Sequence, residues 1–288
     1  ITAVLDGTEG QKLLDNMGID NYGHILLQDA PGAQDHIAKI WQYTIATDQL
    51  ILLAQHDTTR FNAKGSQFLT LDEESSGIMD AESILGPGMS LLVVQPHYAL
   101  GGEFVEGGQL LAMYNPTNKN SQLGATPYSS EAPYLLPAAP GVKFTAMLTV
   151  GDAVNGYKMA GIPDGLGAFD NGNGTFTLLI NHELGNNLGV TRAHGSIGSF
   201  VSKWVINKSD LSIVSGTDLI KRVFLWNPIT SSYVAYNGGF PSSTAAFGRF
   251  CSADLPPVSA FYNAKTGLGT TERIYMNCEE TGVEGRAF

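Results

Sequence analysis

Residues 163–183 read PDGLGAFDNGNGTFTLLINHE, and this stretch decides the fold. It opens on turn residues, Asp164-Gly165 and then Asp170-Asn171-Gly172-Asn173-Gly174. Glycine reaches positive φ without a Cβ clash, and Asn and Asp tolerate that region better than other side chains. An apolar run from Phe176 to Ile180 follows, with Thr175 and Thr177 at its start. A short run of this kind, bounded by turn signals, reads as a buried strand. It ends on Asn181-His182-Glu183, side chains of the metal-binding kind. A strand that delivers His and Glu beside an Asp-rich loop predicts a site at one end of a sheet.

The pattern recurs along the chain. Gly269–Glu280, GTTERIYMNCEE, repeats the plan of Gly174–Glu183, GTFTLLINHE: a Gly-Thr start, a strand-like segment, an Asn-x-Glu end. A looser copy sets Asp15-Asn16 and Asp20-Asn21 before His24–Gln28. Two hairpins also match. Lys39–Tyr43 leads through Ala46-Thr47-Asp48 to Gln49–Leu53, and Ser202–Ile206 leads through Lys208-Ser209-Asp210 to Leu211–Val214. Strand, polar turn and strand make a hairpin. Repeated hairpin units predict an all-β protein of stacked or radial antiparallel sheets, with a β-propeller first among the architectures. Chance likeness among Gly- and Asn-rich turns is the plain alternative.

Composition agrees. The chain has 288 residues, enough for one large all-β domain or two small ones. Hydrophobic residues make up 43%, which excludes a disordered chain, and charged residues only 15%. A formal net charge of −11 argues against nucleic acid, whose phosphates need a basic face, and favours cations. No apolar run approaches the roughly 20 residues of a membrane span. The composition leans towards export, to the periplasm or the extracellular space. No signal peptide is visible at Ile1, as expected of a mature exported chain.

Strands are expected near 24–29, 38–45, 49–54, 91–95, 109–114, 143–150, 218–226 and 232–236. An acidic turn is expected at 72–77, a helical turn at 80–85 and a compact loop at 247–254. Residues 116–141, rich in Asn, Ser, Pro, Ala and Gly, read as a connection between portions 1–115 and 142–288.

Two chemistries deserve weighing. A metal site would draw on Asp164, Asp170, His182, Glu183, Cys251, Glu279 and Glu280. Carboxylates suit Ca²⁺, and a thiolate among them suits a transition metal such as iron or zinc. The plain alternatives are a structural His182, a surface pair at Glu279-Glu280 and a disulfide between Cys251 and Cys278. Nucleophilic hydrolysis has less support: Gly-x-Ser-x-Gly is absent, as is a P-loop ending. Arg192 and His194 would suit an anionic substrate, Arg through its forked donors, or a structural salt bridge.

Several of these motifs together resemble one family. Asn181-His182-Glu183 is similar to the NHE element of the PhoX-type alkaline phosphatases and their phytase-like relatives. Cys251 in its loop, Gly269-Thr270 and Cys278-Glu279-Glu280 resemble that family's cysteine loop and its Cys-Glu-Glu strand end. Leu91–His97, LLVVQPH, and Asp15-Asn16 with Asp20 and Gly23 resemble two further elements. The resemblance implies a secreted β-propeller phosphomonoesterase that uses Ca²⁺, with Fe³⁺ held partly by cysteine. Its metal ligands would be Cys251, Glu183, Glu279, Glu280, Asp164 and Asp170, with His182 and Arg192 in catalytic positions. The order of motifs is rotated: those of the family's C-terminal half occupy 1–115 and those of its N-terminal half 142–288. That implies a partial or circularly permuted propeller, or one completed by self-association. The rival expectation is a non-catalytic, Ca²⁺-binding structural subunit of an extracellular assembly or filament.

Overall fold

A computed structural model describes residues 5–116, 129–236, 245–281 and 285–288. Strand accounts for 46% of the chain and helix for 4%, so the protein is all-β. The first sheet is a meander: β1 (Leu14–Ile19), β2 (His24–Asp29), β3 (Lys39–Thr44) and β4 (Gln49–His56). The second sheet begins with β5 (Glu73–Asp80) and β6 (Met89–Pro96). A small hairpin, β7 (Ala99–Gly101) with β8 (Val105–Glu106), interrupts it before β9 (Gln109–Tyr114). Next, β10 (Leu135–Pro137) leaves to pair with β4, and β11 (Lys143–Thr149) returns to close the second sheet on β9.

Another small hairpin, β12 (Ala153–Val154) with β13 (Tyr157–Lys158), precedes the third sheet. That sheet is again a meander: β14 (Pro163–Asp170), β15 (Thr175–His182), β16 (Phe200–Asn207) and β17 (Ile213–Asp218). The C-terminal part holds three two-stranded pairs. β18 (Phe224–Asn227) pairs with β19 (Ser232–Ala235), and β20 (Phe250–Asp254) spans a long excursion to its partner. Within that excursion β21 (Tyr262–Asn263) pairs with β22 (Leu268–Gly269); β23 (Met276–Glu279) then closes on β20.

Side-chain alternation explains how the sheets stack. Successive residues of a strand point to opposite faces. In the second sheet Leu91, Val93, Leu110 and Ala112 join the core shared with Phe176, Leu178, Ile180 and Trp204 of the third. Their neighbours Leu92, Val94, Leu111 and Met113 join Leu26, Ile40 and Leu53 of the first. A sheet covered on both faces reads as an unbroken apolar run, as LLVV and LLAM do. The third sheet offers Leu179 and Val201 to a further core with Val223, Leu225, Phe247 and Phe250.

The leading strands of successive units pack against one another. β5 packs against both β1 and β14, and β14 packs against β20. Gly77 and Gly165 allow the approach. A Cβ on Gly77 would sit 2.3 Å from the Asp164 carbonyl oxygen, and one on Gly165 would sit 2.4 Å from the Ala253 nitrogen.

Several expectations are corrected. The boundary at 116–141 cuts through a sheet, because β11 pairs with β9 across it. Of that expected connection, 117–128 lies outside the described residues, while Leu135–Pro137 is a strand on β4. Asp164-Gly165 is a bulge inside β14 and not a turn; the turn of that hairpin is 171–174. The acidic turn at 72–77 is the start of β5, and the compact loop at 247–254 contains β20. The stretch 218–226 is the end of β17 and most of β18, separated by a break.

Candidate functional site

The four leading strands, β1, β5, β14 and β20, share one local plan. In β1, β14 and β20 the first three pairing steps cover only two on the partner: Leu14 to Met17 faces Asp29 to Leu27. Pro163 to Leu166 faces His182 to Ile180, and Phe250 to Ala253 faces Glu279 to Asn277. One extra residue is a β-bulge, which bends the strand and re-aims a side chain. In β5 the bulge comes later, between Ser76 and Met79.

The second residue of each strand is thereby Asp15, Glu74, Asp164 and Cys251. On the partner strand, the residue just past the first pair is Ala30, His97, Glu183 and Glu280. All eight line one open cavity of about 520 Å³. Gln95, Arg249, Thr281, Leu13 and Leu14 complete its wall.

Asp164 lies deepest. It is 1% exposed, and neither carboxylate oxygen has a hydrogen-bond partner. Burial raises its pKa well above the ordinary value, and the charge of Glu183 adds to that; the Cys251 thiol alongside eases it. Thiol and carboxylate stand close, but not in hydrogen-bonding geometry. Burial likewise pushes the Cys251 thiol up, with Asp164 adding to it.

Glu183 is held from two sides. Gln95 Nε2 donates to its Oε2 at 2.8 Å, and Arg249 Nη1 donates to its Oε1 at 3.1 Å. Burial, and a hydrogen bond shared with Glu183, raise the pKa of Glu280. The His97 ring bonds Glu106 through Nδ1 at 2.7 Å. Burial opposes its charge, but Glu106 and Glu74 outweigh burial and raise its pKa.

Of the residues expected from sequence, Asp164, Glu183, Cys251 and Glu280 meet here. Four others do not. Asp170 sits at the far end of the β14–β15 hairpin, paired with Lys208 at 2.7 Å. Six residues of strand, roughly 20 Å, separate it from Asp164. Glu279 points the other way and spends its oxygens on Arg286 and the Gly248 N–H. Burial would raise its pKa, but those donors hold it below the ordinary value. His182 is fully buried; its nitrogens meet the Gly161 carbonyl and the Ser202 hydroxyl, and it stacks on Phe200 at 4.4 Å. Burial drives its pKa down to about 3, so it is a neutral structural group. Arg192 stacks on the same Phe200 and lines a different cavity. Both cysteines are free thiols, so the disulfide alternative is not present.

Asp15, Glu74, Gln95, His97 and Arg249 are additional wall residues. Asp15, Glu74 and His97 take their places from the pairing of leading strand and partner, which the sequence alone does not display, and no residue-type signal marked Gln95 or Arg249.

Among the described residues, no three His, Cys, Asp or Glu side chains already stand together as a ligand set. The donors nevertheless fit a hard cation in kind: several carboxylates, one of them orphaned. No family model, curated protein or solved structure matches the chain.

The buried carboxyls make stability depend on pH in a definite direction. Burial pushes Glu74 up to about 7 and the neighbouring Glu73 up to about 8, from an ordinary 4.5. Between pH 4.5 and about 8 the unfolded chain has released these protons while the folded chain keeps them. The folded state then binds more protons, so stability falls as pH rises, by up to ~1.4 kcal/mol per pH unit per group, and levels off above. Urea midpoints in a chelator are expected to be lower at pH 8 than at pH 7, above the range in which the buried, neutral His56 and His182 make stability rise with pH. A midpoint that rises over this range would show that these carboxyls ionise freely in the fold.

Proposed function

We propose that the chain is a Ca²⁺-dependent phosphoric monoester hydrolase, working at the cavity where the four leading strands begin. The orphaned carboxylate of Asp164 carries this reading. An ionised carboxylate is costly to bury unless it is paired or bound to a metal, and this one faces an acidic cavity. The sheet arrangement supports a propeller-like architecture: each unit is a blade and its leading strand lines a common axis. The resemblance of the NHE and Cys-Glu-Glu elements to the PhoX-type enzymes supports the same reaction class.

Asp164, Glu183, Glu280 and Glu74 would hold Ca²⁺, and Cys251 would favour an additional iron. Bound there, the cation supplies positive charge that polarises a phosphoryl oxygen. Arg249 offers its remaining donors to the other phosphoryl oxygens from the rim, where it is 44% exposed. His97 lines the cavity, and Glu106 and Glu74 raise its pKa against the opposing effect of burial, which favours the protonated ring and suits it to protonate a leaving alkoxide. Export remains part of the proposal.

The test is hydrolysis of p-nitrophenyl phosphate. Saturable turnover is expected with Ca²⁺, lost in a chelator and restored by Ca²⁺, with iron supplied in a parallel arm. Arg249→Ala is expected to lower kcat/KM by about 10²- to 10³-fold, the usual effect of removing one positioned donor. A different observation favours the structural-subunit reading. Leu13, Met17 and Ile19 of the β1 edge are each at least 60% exposed, an apolar strip suited to self-association. The absence of turnover in every metal arm would leave that reading standing and remove the enzyme.

A further inference from the structure

The geometry points to a second binding site, separate from the acidic cavity, that takes the phosphate, sulfate or carboxylate group of a small molecule on Arg192. It goes beyond the hydrolase reading and does not depend on it. The site is a cavity of about 260 Å³ between the β12–β13 hairpin, the Phe104 segment and the loop that precedes β16. It shares no lining residue with the acidic cavity.

Arg192 forms its floor. The side chain is only 10% exposed, and its guanidinium lies flat on the Phe200 ring, 3.7 Å from the centroid. That stacking uses the face of the group and leaves its edge, where all the N–H donors lie. Among the described residues those donors have no hydrogen-bond acceptor. Nε is buried without a partner. The nearest carboxylate, Asp218, is 3.9 Å from Nη1, beyond hydrogen-bond range. Asp218 is already engaged, with Tyr157 Oη donating to one oxygen at 2.6 Å and the Ala193 N–H to the other at 2.8 Å. Asp218 therefore orients its neighbours and balances charge at a distance, without satisfying the fork.

The backbone fixes Arg192 in place. Its N–H donates to the Ser196 carbonyl and its own carbonyl accepts from Gly195. A planar fork, immobilised by stacking and backbone, matches two oxygens of an oxyanion. Lys158 stands at the rim, paired with Glu103 and 5.4 Å from the Phe104 centroid. An entering anion would meet both cations. Glu103 disfavours a bulky polyanion and suits one oxyanion group on a small molecule.

Chelator-treated protein, titrated calorimetrically with inorganic phosphate, sulfate and acetate, tests the proposal. Saturable binding of at least one is expected, and comparing the three separates a tetrahedral from a planar preference. Arg192→Lys should weaken it at least tenfold, because an ammonium lacks the fork. Lys158→Glu should also weaken it at least tenfold. Lys158 is half-exposed, so that variant keeps the fold even if the Arg192 variant does not. Arg249→Ala, in the other cavity, should leave this binding unchanged. No saturable binding of any of the three anions, or binding indifferent to Lys158→Glu, would overturn the assignment.

Discussion

Asp164→Asn is expected to abolish the thermal stabilisation by calcium that the proposed function implies for the parent protein. The parent holds a carboxylate that is 1% exposed and has no partner at either oxygen. Glu183 and Glu74 add like charge to its surroundings. Without a cation the group either keeps its proton or bears the cost of an isolated buried charge. A cation removes that choice, and at a hundred times its Kd it adds about 2.7 kcal/mol to the folded state. Asparagine keeps the shape and one oxygen but carries no charge, so most of that increment should vanish. Without metal the order reverses. At pH 8 in a chelator, Asp164→Asn should be at least as stable as the parent, by up to about 1–3 kcal/mol, because a buried carboxyl that must either hold its proton or stay charged without a partner has been removed. Thermal melts with CaCl₂ and with chelator measure both effects. A calcium shift of undiminished size in Asp164→Asn would show that the cation binds elsewhere, and the acidic cavity would lose its chemical meaning.

The all-β class was legible because hydrophobic period and turn chemistry act locally. The run Gln109–Tyr114 was plain from its unbroken apolar stretch, and the hairpin Lys39–Thr44 with Gln49–His56 from two strand-like runs with Asp48 at the turn between them. The candidate site was half legible for a related reason. Aligning Asn181-His182-Glu183 with Asn277-Cys278-Glu279 matches letters and sets Glu183 against Glu279. Strand pairing matches Pro163↔His182 with Phe250↔Glu279, which sets Glu183 against Glu280. A slip of one residue turns a side chain to the other face of a strand. That is why Glu280 lines the cavity while Glu279 turns away to Arg286. Asp170 misled in another way. It lies in the same hairpin as Asp164, but an antiparallel hairpin sends its two ends to opposite poles of the sheet. His182 was singled out by its place in Asn181-His182-Glu183 and Arg192 by its forked donors, and neither signal reports burial: both pack on Phe200, away from the cavity. The bulges that present Asp15, Asp164 and Cys251 depend on pairing with a partner strand, which no local window contains.

Gly77→Ala is expected to be strongly destabilising, and it tests whether the leading strands meet as closely as the site requires. Two costs add. Gly77 has φ +50°, and there a Cβ brings backbone strain of order 1 kcal/mol. Its Cβ would also lie 2.3 Å from the Asp164 carbonyl oxygen and 2.9 Å from that carbonyl carbon. These are backbone atoms of a buried strand and cannot swing aside, so β5 and β14 must separate, at about 1–3 kcal/mol for overpacking. The sum is about 2–4 kcal/mol, a large fraction of the stability of an ordinary domain. Gly172→Ala isolates the first cost: that glycine has φ +75° in the hairpin turn of β14, but no atom lies within 4 Å of its Cβ. Its loss should be about 1 kcal/mol. The difference between the two urea-denaturation curves then measures the β5–β14 contact alone. Because that contact also sets the spacing of Glu74 and Asp164, Gly77→Ala should weaken calcium binding in protein that remains folded, whereas Gly172→Ala should not. Equal losses of stability in the two variants would mean that the strands stand farther apart than the structure has them, and the shared cavity would lose its framework.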